Sequence, residues 1–327
     1  MNAGLETRDS RGAFCYSLLD LGALLTLAAT LLTPFDRYHG LLEQFSHFKL
    51  QYLVAAIILA LWFLFSRRSL PALVMLVAVA VNAAYVLPWS LPGATASAAG
   101  AGEPLRLLLA NVNVDNPDVD RLLDLAERES PDLMVVQEVN GRWSRGLESL
   151  RQRMPHRVME TREDPFGIAL LSRWPLLEHG VETFAPGQPP SIRAAVHVRG
   201  RRFSLIASHP VPPESAARWE SRNRHLEVLA RTAREAEDPV ILIGDLNVTM
   251  WSSRYRVLED GTGLINVRRG FGLLPTWPLF FPPAMIPLDH CLVTEDFRTE
   301  SVRTGPDIGS DHLPLIVDLR LVGRASQ

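Results

Sequence analysis

The chain has almost no lysine. Lys49 is the single one among 33 basic residues, and the whole chain carries a formal charge of −3. Between residues 105 and 322, 26 arginines face 30 carboxylates, a balance of −4. A sequence-independent nucleic-acid binder usually shows a basic face, so this balance argues against one. Cysteine is equally scarce, with only Cys15 and Cys291. Their spacing excludes a zinc motif. Their contexts, the start of an apolar run and a core-type strand, argue against a disulfide between them. No internal repeat is visible.

What the chain has in excess is apolar residues: 47% of the total, with mean hydropathy +0.07. The excess lies before residue 92. Three runs, 14–32, 50–65 and 70–87, each approach the ~20 residues that cross a bilayer. Asp20 interrupts the first. Soluble helices keep a polar stripe, and 54–65 and 72–80 have none. The runs are therefore expected to be three transmembrane helices rather than a soluble bundle or a cleaved signal peptide. Arg8 and Arg11 precede the first run, and Arg67 and Arg68 separate the second from the third. The intervening loop holds only Arg37 and Lys49. The positive-inside rule then puts the N-terminus in the cytoplasm. Everything after Trp89 falls on the outer side of the cytoplasmic membrane, periplasmic or extracellular. The expected organisation is a multi-pass, integral membrane domain at 1–92 and a flexible linker of small residues at 93–104, followed by a soluble domain at 105–322.

In the soluble domain, short apolar runs predict buried strands at 105–110, 133–136, 167–171, 240–243, 288–293 and 313–319. Residues 194–198 and 203–207 read as a hairpin around Arg199-Gly200-Arg201. Helices are expected at about 118–129, capped by Asp118, and at 215–235. The polar residues of interest follow the strand ends, where layered α/β proteins build sites on loops held by a rigid sheet.

Those residues are Asn111, Glu138, His209, Asp245, Asn247, Asp289, Asp311 and His312. They are carboxylates, carboxamides and two imidazoles, without a thiolate. Hard oxygen donors of this kind suit Mg²⁺ or Mn²⁺. Phosphodiester hydrolysis needs charge compensation at the phosphoryl oxygens, a base for water and donors for the transition state. This set supplies side chains for all three. Taken singly, each has an ordinary reading as a turn cap, a surface acid or a strand terminus.

The order of the motifs changes that reading. Asn111, Gln137-Glu138, Gly167-Ile-Ala-Leu-Leu-Ser-Arg173, Ser208-His209-Pro, Gly244-Asp245-Leu-Asn247, Pro287-Leu-Asp289-His and Gly309-Ser-Asp311-His312 resemble the endonuclease/exonuclease/phosphatase superfamily. They stand in its order and cover nearly all of residues 105–319. Among its members the chain is most similar to small membrane-tethered bacterial ones. The resemblance implies an α/β fold, a four-layer α/β/β/α sandwich preceded here by three transmembrane helices, with the site at one rim of two sheets. It implies a catalytic domain at 105–322 that hydrolyses phosphate esters with Mg²⁺. Glu138 and Asn111 would hold the metal, and Asp311 would complete its shell. His312 would be the general base, oriented by Asp289. Asp245 would position or deprotonate the attacking water, and Asn247 and His209 would bind phosphoryl oxygens. His290 matches a variable position and reads as structural. The implied substrate is a nucleic acid or a phospholipid headgroup, with nothing in the sequence to choose. The alternative is a non-catalytic, membrane-anchored binding protein on the same scaffold. It would be expected to lack some of these side chains, and none is missing.

Overall fold

The computed structural model describes residues 3–91, 102–184 and 187–322, with side chains described from residue 18 onward. The chain divides into two compact units, Met1–Pro88 and Trp89–Gln327.

The first unit is helical: α1 (Ala3–Leu32), α2 (Gly40–Gln44), α3 (Lys49–Phe65) and α4 (Ser69–Val86). Its core is an alanine-rich seam of Ala56, Ala60 and Phe63 on α3 against Ala72, Met75 and Ala78 on α4. Small side chains let the two helices approach closely. Asn82 on α4 reaches Thr30 on α1 at 2.9 Å. Asp20, which interrupts the first apolar run, pairs with Arg68 in the α3–α4 turn at 2.8 Å. Two segments, Leu18–Phe35 and Ser69–Trp89, are long and apolar enough to cross a membrane. The third expected span, α3, is a 17-residue helix and falls into the shorter class. At ~1.5 Å per residue it is about 25 Å long.

The second unit contains β1 (Glu103–Asn111), α5 (Val119–Glu129), β2 (Leu133–Gln137), α6 (Gly141–Leu147), β3 (His156–Glu160) and β4 (Ile168–Ser172). Then come β5 (Leu176–Glu182), β6 (Ser191–Val198), β7 (Arg201–Ser208), α7 (Ala216–Glu235) and β8 (Val240–Asp245). The chain closes with β9 (Ile265–Asn266), β10 (Asp289–Val293), β11 (Phe297–Thr304) and β12 (Leu315–Leu321). Most of the linker expected at 93–104 lies outside the described residues. Its last two residues, Glu103 and Pro104, already belong to β1.

The strands form two six-stranded sheets, ordered β11-β12-β1-β2-β4-β3 and β5-β6-β7-β8-β10-β9. Successive side chains on a strand face opposite ways. Leu107 and Leu109 of β1 therefore enter the core between the sheets, with Leu133, Leu205, Ile241 and Val317. Leu108 and Ala110 point the other way, against Leu122 and Leu125 of α5 and Trp143 and Leu147 of α6. On the second sheet, His225 of α7 bonds Ser191 of β6 and Ser208 of β7. Helices thus cover both sheets in a mixed α/β sandwich. Two local expectations need correction or sharpening. Asp118 stands at the N-cap of α5 without capping it. Its carboxylate pairs with Arg121 at 2.7 Å instead. Ser215 does cap α7, accepting from Arg218 N.

Each sheet has one parallel pair at its centre. β1 and β2 are joined through α5, and β7 and β8 through α7. A parallel pair needs such a crossover, and it aligns both carboxyl ends at one edge. The neighbouring β12 and β10 run antiparallel, so their amino ends lie at that same edge. The two sheets repeat one plan that the sequence does not betray.

Candidate functional site

That strand polarity collects the polar residues singled out from the sequence. Asn111 ends β1, and Glu138 follows β2. His209 follows β7, Asp245 ends β8, Asp289 opens β10, and Asp311-His312 lead into β12. Ligand-accepting grooves in α/β sheets lie outside the carboxyl ends of parallel strands for the same reason.

The local backbone is shaped to hold them. Glu138 leaves β2 with φ +68°. Its N–H and that of Val139 both donate to Gly167 O. A Cβ on Gly167 would sit 2.0 Å from Val139 O, so only glycine fits. Gly244, just before Asp245, has φ +157° and would bring a Cβ to 1.9 Å from Ser208 O. Asn247 turns back at φ +51°, its N–H on Asp245 Oδ1 at 2.9 Å and its amide on Pro210 O at 2.9 Å.

The side chains meet in two linked groups. In the first, Asn111 Nδ2 donates to Glu138 Oε1 at 2.9 Å, and Val114 N donates to Glu138 Oε2 at 2.9 Å. Glu138 is half-buried, whereas Asn111 is buried. In the second, His312 Nδ1 meets Asp289 Oδ2 at 2.9 Å. Both side chains are buried, and His312 Nε2 faces Asp245 Oδ2 at 3.7 Å. His209 Nε2 lies 3.5 Å from the same Asp245 oxygen. Asn111 Nδ2, at 3.4 Å from Asp245 Oδ2, joins the two groups. His209 Nδ1 is buried without a hydrogen-bond partner.

Asp311 sits half-buried at the same rim, beside His312. Its two oxygens accept from Asn113 Nδ2 at 2.8 Å and Trp277 Nε1 at 2.9 Å. It holds the loop around Trp277, whose ring lies 6.3 Å from the His312 ring. His290 lies within the core, bonded to Val248 O and Asn266. Burial pushes its imidazole down to about 3. Arg193 pairs with Glu182 across β5 and β6.

Electrostatics separate the roles open to the two acid–imidazole pairs. Burial opposes charge on His312. The field of Asp289, its hydrogen bond, and Asp245 and Asp311 override that and push His312 up to about 10. Burial likewise disfavours ionised Asp245, but His209 and His312 hold it well below the usual carboxylate range. His209 is raised in the same way by Asp245, against its own desolvation. This field favours the imidazolium form of His312. Asp245 is the ionised acceptor.

Four carboxylates converge on the rim, two of them half-buried. Asp245, Asp289 and His312 offer ligand atoms within 4.8 Å of one another. However, His312 Nδ1 is committed to Asp289, which marks those three as a proton-holding group before a metal cage. The hard oxygens of Glu138 and Asn111 remain the better match to a divalent cation. An anionic phosphate entering this negative rim would need such a cation, so the donor chemistry fits one.

Sequence reasoning assigned no role to Gln137. Its side chain spans the two sheets, donating to Ser208 O at 2.8 Å and accepting from Asp245 N at 2.8 Å. The signal was present. A carboxamide closing the buried run Leu133-Met-Val-Val-Gln137 must find partners. Asn113 was also passed over.

The sequence model of the Endonuclease/Exonuclease/phosphatase family matches residues 108–312. No curated protein matches the chain. Solved structures share the fold. TDP2 from D. rerio, in complex with a single-strand DNA product, superposes with a TM-score of 0.58 at 18% identity, over 67% of this chain and 99% of that one. The endonuclease/exonuclease/phosphatase from Beutenbergia cavernae gives 0.56 at 22% identity, over 67% and 72%. Its counterpart from Bacteroides vulgatus gives 0.55 at 19%, over 67% and 99%. At these identities the likeness is one of fold.

Proposed function

The chain belongs to the endonuclease/exonuclease/phosphatase family, and from that premise we propose that it is a metal-dependent hydrolase of phosphate esters. The observation that carries the proposal is the convergence of Asp289–His312, Asp245–His209 and Glu138–Asn111 on one rim. Glu138 and Asn111 would hold the cation, Mg²⁺ or Mn²⁺. When bound, it supplies Lewis-acid compensation for charge on the phosphoryl oxygens.

The protein's own groups do the rest. Asp245, held ionised, orients the attacking water and takes its proton as the P–O bond forms. His209, whose Nε2 faces Asp245, and Asn247, through its carboxamide, donate to the phosphoryl oxygens. His312, kept cationic by Asp289, stabilises the crowded phosphorane-like charge and can protonate the departing oxygen. Asp289 fixes the imidazole's tautomer through Nδ1, as carboxylates do in acid–imidazole pairs. A non-catalytic role would leave these costly buried charges without a purpose.

We further propose that α1, α3 and α4 cross the cytoplasmic membrane and place the rim on its outer side. Exposed Leu24, Ile58, Leu61 and Leu73 make an apolar surface that water would penalise and lipid would not. The arginine distribution gives the orientation. A C-terminal alkaline phosphatase fusion is expected to be active; an inactive fusion beside an active cytoplasmic reporter reverses the topology. For the chemistry, the detergent-solubilised chain is expected to hydrolyse bis(p-nitrophenyl) phosphate with Mg²⁺. It should stop with EDTA and after His312→Ala. Turnover surviving both treatments sinks the assignment.

A further inference from the structure

Resting on the phosphoesterase reading, we propose that the loop between Trp277 and Ile286 docks on a phospholipid surface, and that the rim's substrate is a phosphodiester in a lipid headgroup. Among the described residues from 102 to 322, four large apolar side chains are exposed: Leu177, Val181, Phe280 and Phe281. Phe280 is the most exposed of them, at 78%, and Phe281 beside it is 55% exposed. Two adjacent phenylalanines facing solvent are costly unless something covers them.

The loop is built to present them. Trp277 and Ile286 pair through both N–H···O bonds, at 3.1 and 2.6 Å, and close its neck. Pro278, Pro282 and Pro283 stiffen the eight residues between them. A pre-organised loop loses little freedom on docking. It is also fastened to the reaction rim. Leu279 N donates to Asp311 O at 2.9 Å, and Trp277 Nε1 donates to the Asp311 carboxylate. Leu313 N, next to His312, donates to Thr276 O at 2.9 Å. Whatever covers the phenylalanines is therefore brought beside His312.

Charge selects the occupant. No charged residue stands between Arg269 and Asp289, a stretch containing five prolines among residues 273–288. A nucleic-acid surface interleaves aromatics with cations that neutralise phosphates. This loop has the aromatics and none of the cations. An uncharged aromatic tip matches the boundary between headgroups and acyl chains, where such rings partition. The same chain carries two helices of membrane-crossing length.

The test uses the full chain reconstituted in phosphatidylcholine–phosphatidylethanolamine vesicles. Phe280→Ser/Phe281→Ser is expected to lose roughly 10- to 100-fold in release of phosphorylated headgroups, the scale set by withdrawing two phenyl rings from lipid. It should keep bis(p-nitrophenyl) phosphate hydrolysis within about twofold, because neither side chain belongs to the rim. A second readout needs no turnover. An environment-sensitive fluorophore on Phe280→Cys, with Cys15→Ser and buried Cys291 left in place, should be quenched by lipids spin-labelled near the headgroup. An unquenched probe overturns the docking. A double variant as active on lipid as the wild type overturns it too. Cleavage of a single-stranded oligonucleotide, sensitive to the double variant, with lipid untouched would make the loop a base-stacking surface and overturn the substrate. A wild type inert on every phosphodiester sinks the phosphoesterase reading and the substrate with it, while the quenching still decides the docking.

Discussion

Replacing Asp289 by asparagine removes one charge and almost no volume from the buried pair with His312. The two groups are 2.9 Å apart, and both are nearly inaccessible to water. The rise of His312 from 6.5 to about 10 has Asp289 as its largest favourable cause. It corresponds to about 5 kcal/mol of preference for the imidazolium, shared with Asp245 and Asp311. Burial alone drives the other way. In Asp289→Asn the histidine is therefore expected to fall by well over one pH unit, towards or below its ordinary value. Nuclear magnetic resonance titration of the metal-free protein reads this directly. Steady-state rates on bis(p-nitrophenyl) phosphate should drop on the order of 10²–10⁴-fold near neutrality, as the charged acid is lost and the tautomer is no longer fixed. The alkaline limb of the variant's pH–rate profile should lie below that of the wild type. Stability carries the same signature. A raised folded pKa stabilises the fold below about 6.5, and that contribution is lost as pH rises towards 10. The variant's deficit should shrink over this window. An unchanged His312 titration, with the alkaline limb in place, would refute the reasoning.

Further outcomes follow from the packing. Gly244→Ala puts a methyl group 1.9 Å from Ser208 O and 2.7 Å from Gln137 Nε2. Chemical denaturation should show a loss of about 2–5 kcal/mol, and a loss below 1 kcal/mol would contradict the close approach. Burial lowers His225 to about 4 and His290 to about 3. The unfolded chain then binds more protons than the folded one below about 6.5, so stability should fall as pH drops from 6.5 towards 3. Thermal melts that are flat across that range would contradict the neutral burial of both rings.

The sequence made some elements legible for physical reasons. β1, β2 and β8 are buried on both faces, so they appear as unbroken apolar runs. β3, β5 and β11 do not. Their residues are largely half-buried or exposed, as at His156–Glu160 and Leu176–Glu182, and the pattern carries no run to detect. α6 was missed because it is seven residues long and depends on Asn140 capping its first turn. Asp118 shows the opposite failure: a good capping residue drawn away by Arg121.

The site was legible as a set of strand-end polar residues because strand polarity places them. Its charge state was not. The charge favoured on His312 depends on its neighbour Asp311 and on two carboxylates from other strands, Asp289 and Asp245, and no spacing rule contains their summed field. Asp311 illustrates the same limit. Its bonds to Asn113 and Trp277 cross 198 and 34 residues of chain. They make Asp311 an anchor of the aromatic loop.

The central claim is that Glu138 holds the cation on which phosphoester hydrolysis depends. The direct measurement is the Mg²⁺ dependence of bis(p-nitrophenyl) phosphate hydrolysis by the detergent-solubilised wild type and Glu138→Ala, at matched folding. The wild type should show saturable activation from a metal-stripped baseline. The variant should be at least about 100-fold slower at the wild type's saturating Mg²⁺. A wild type active without any divalent cation, or a variant activated at the same concentration and to the same rate, would contradict the account.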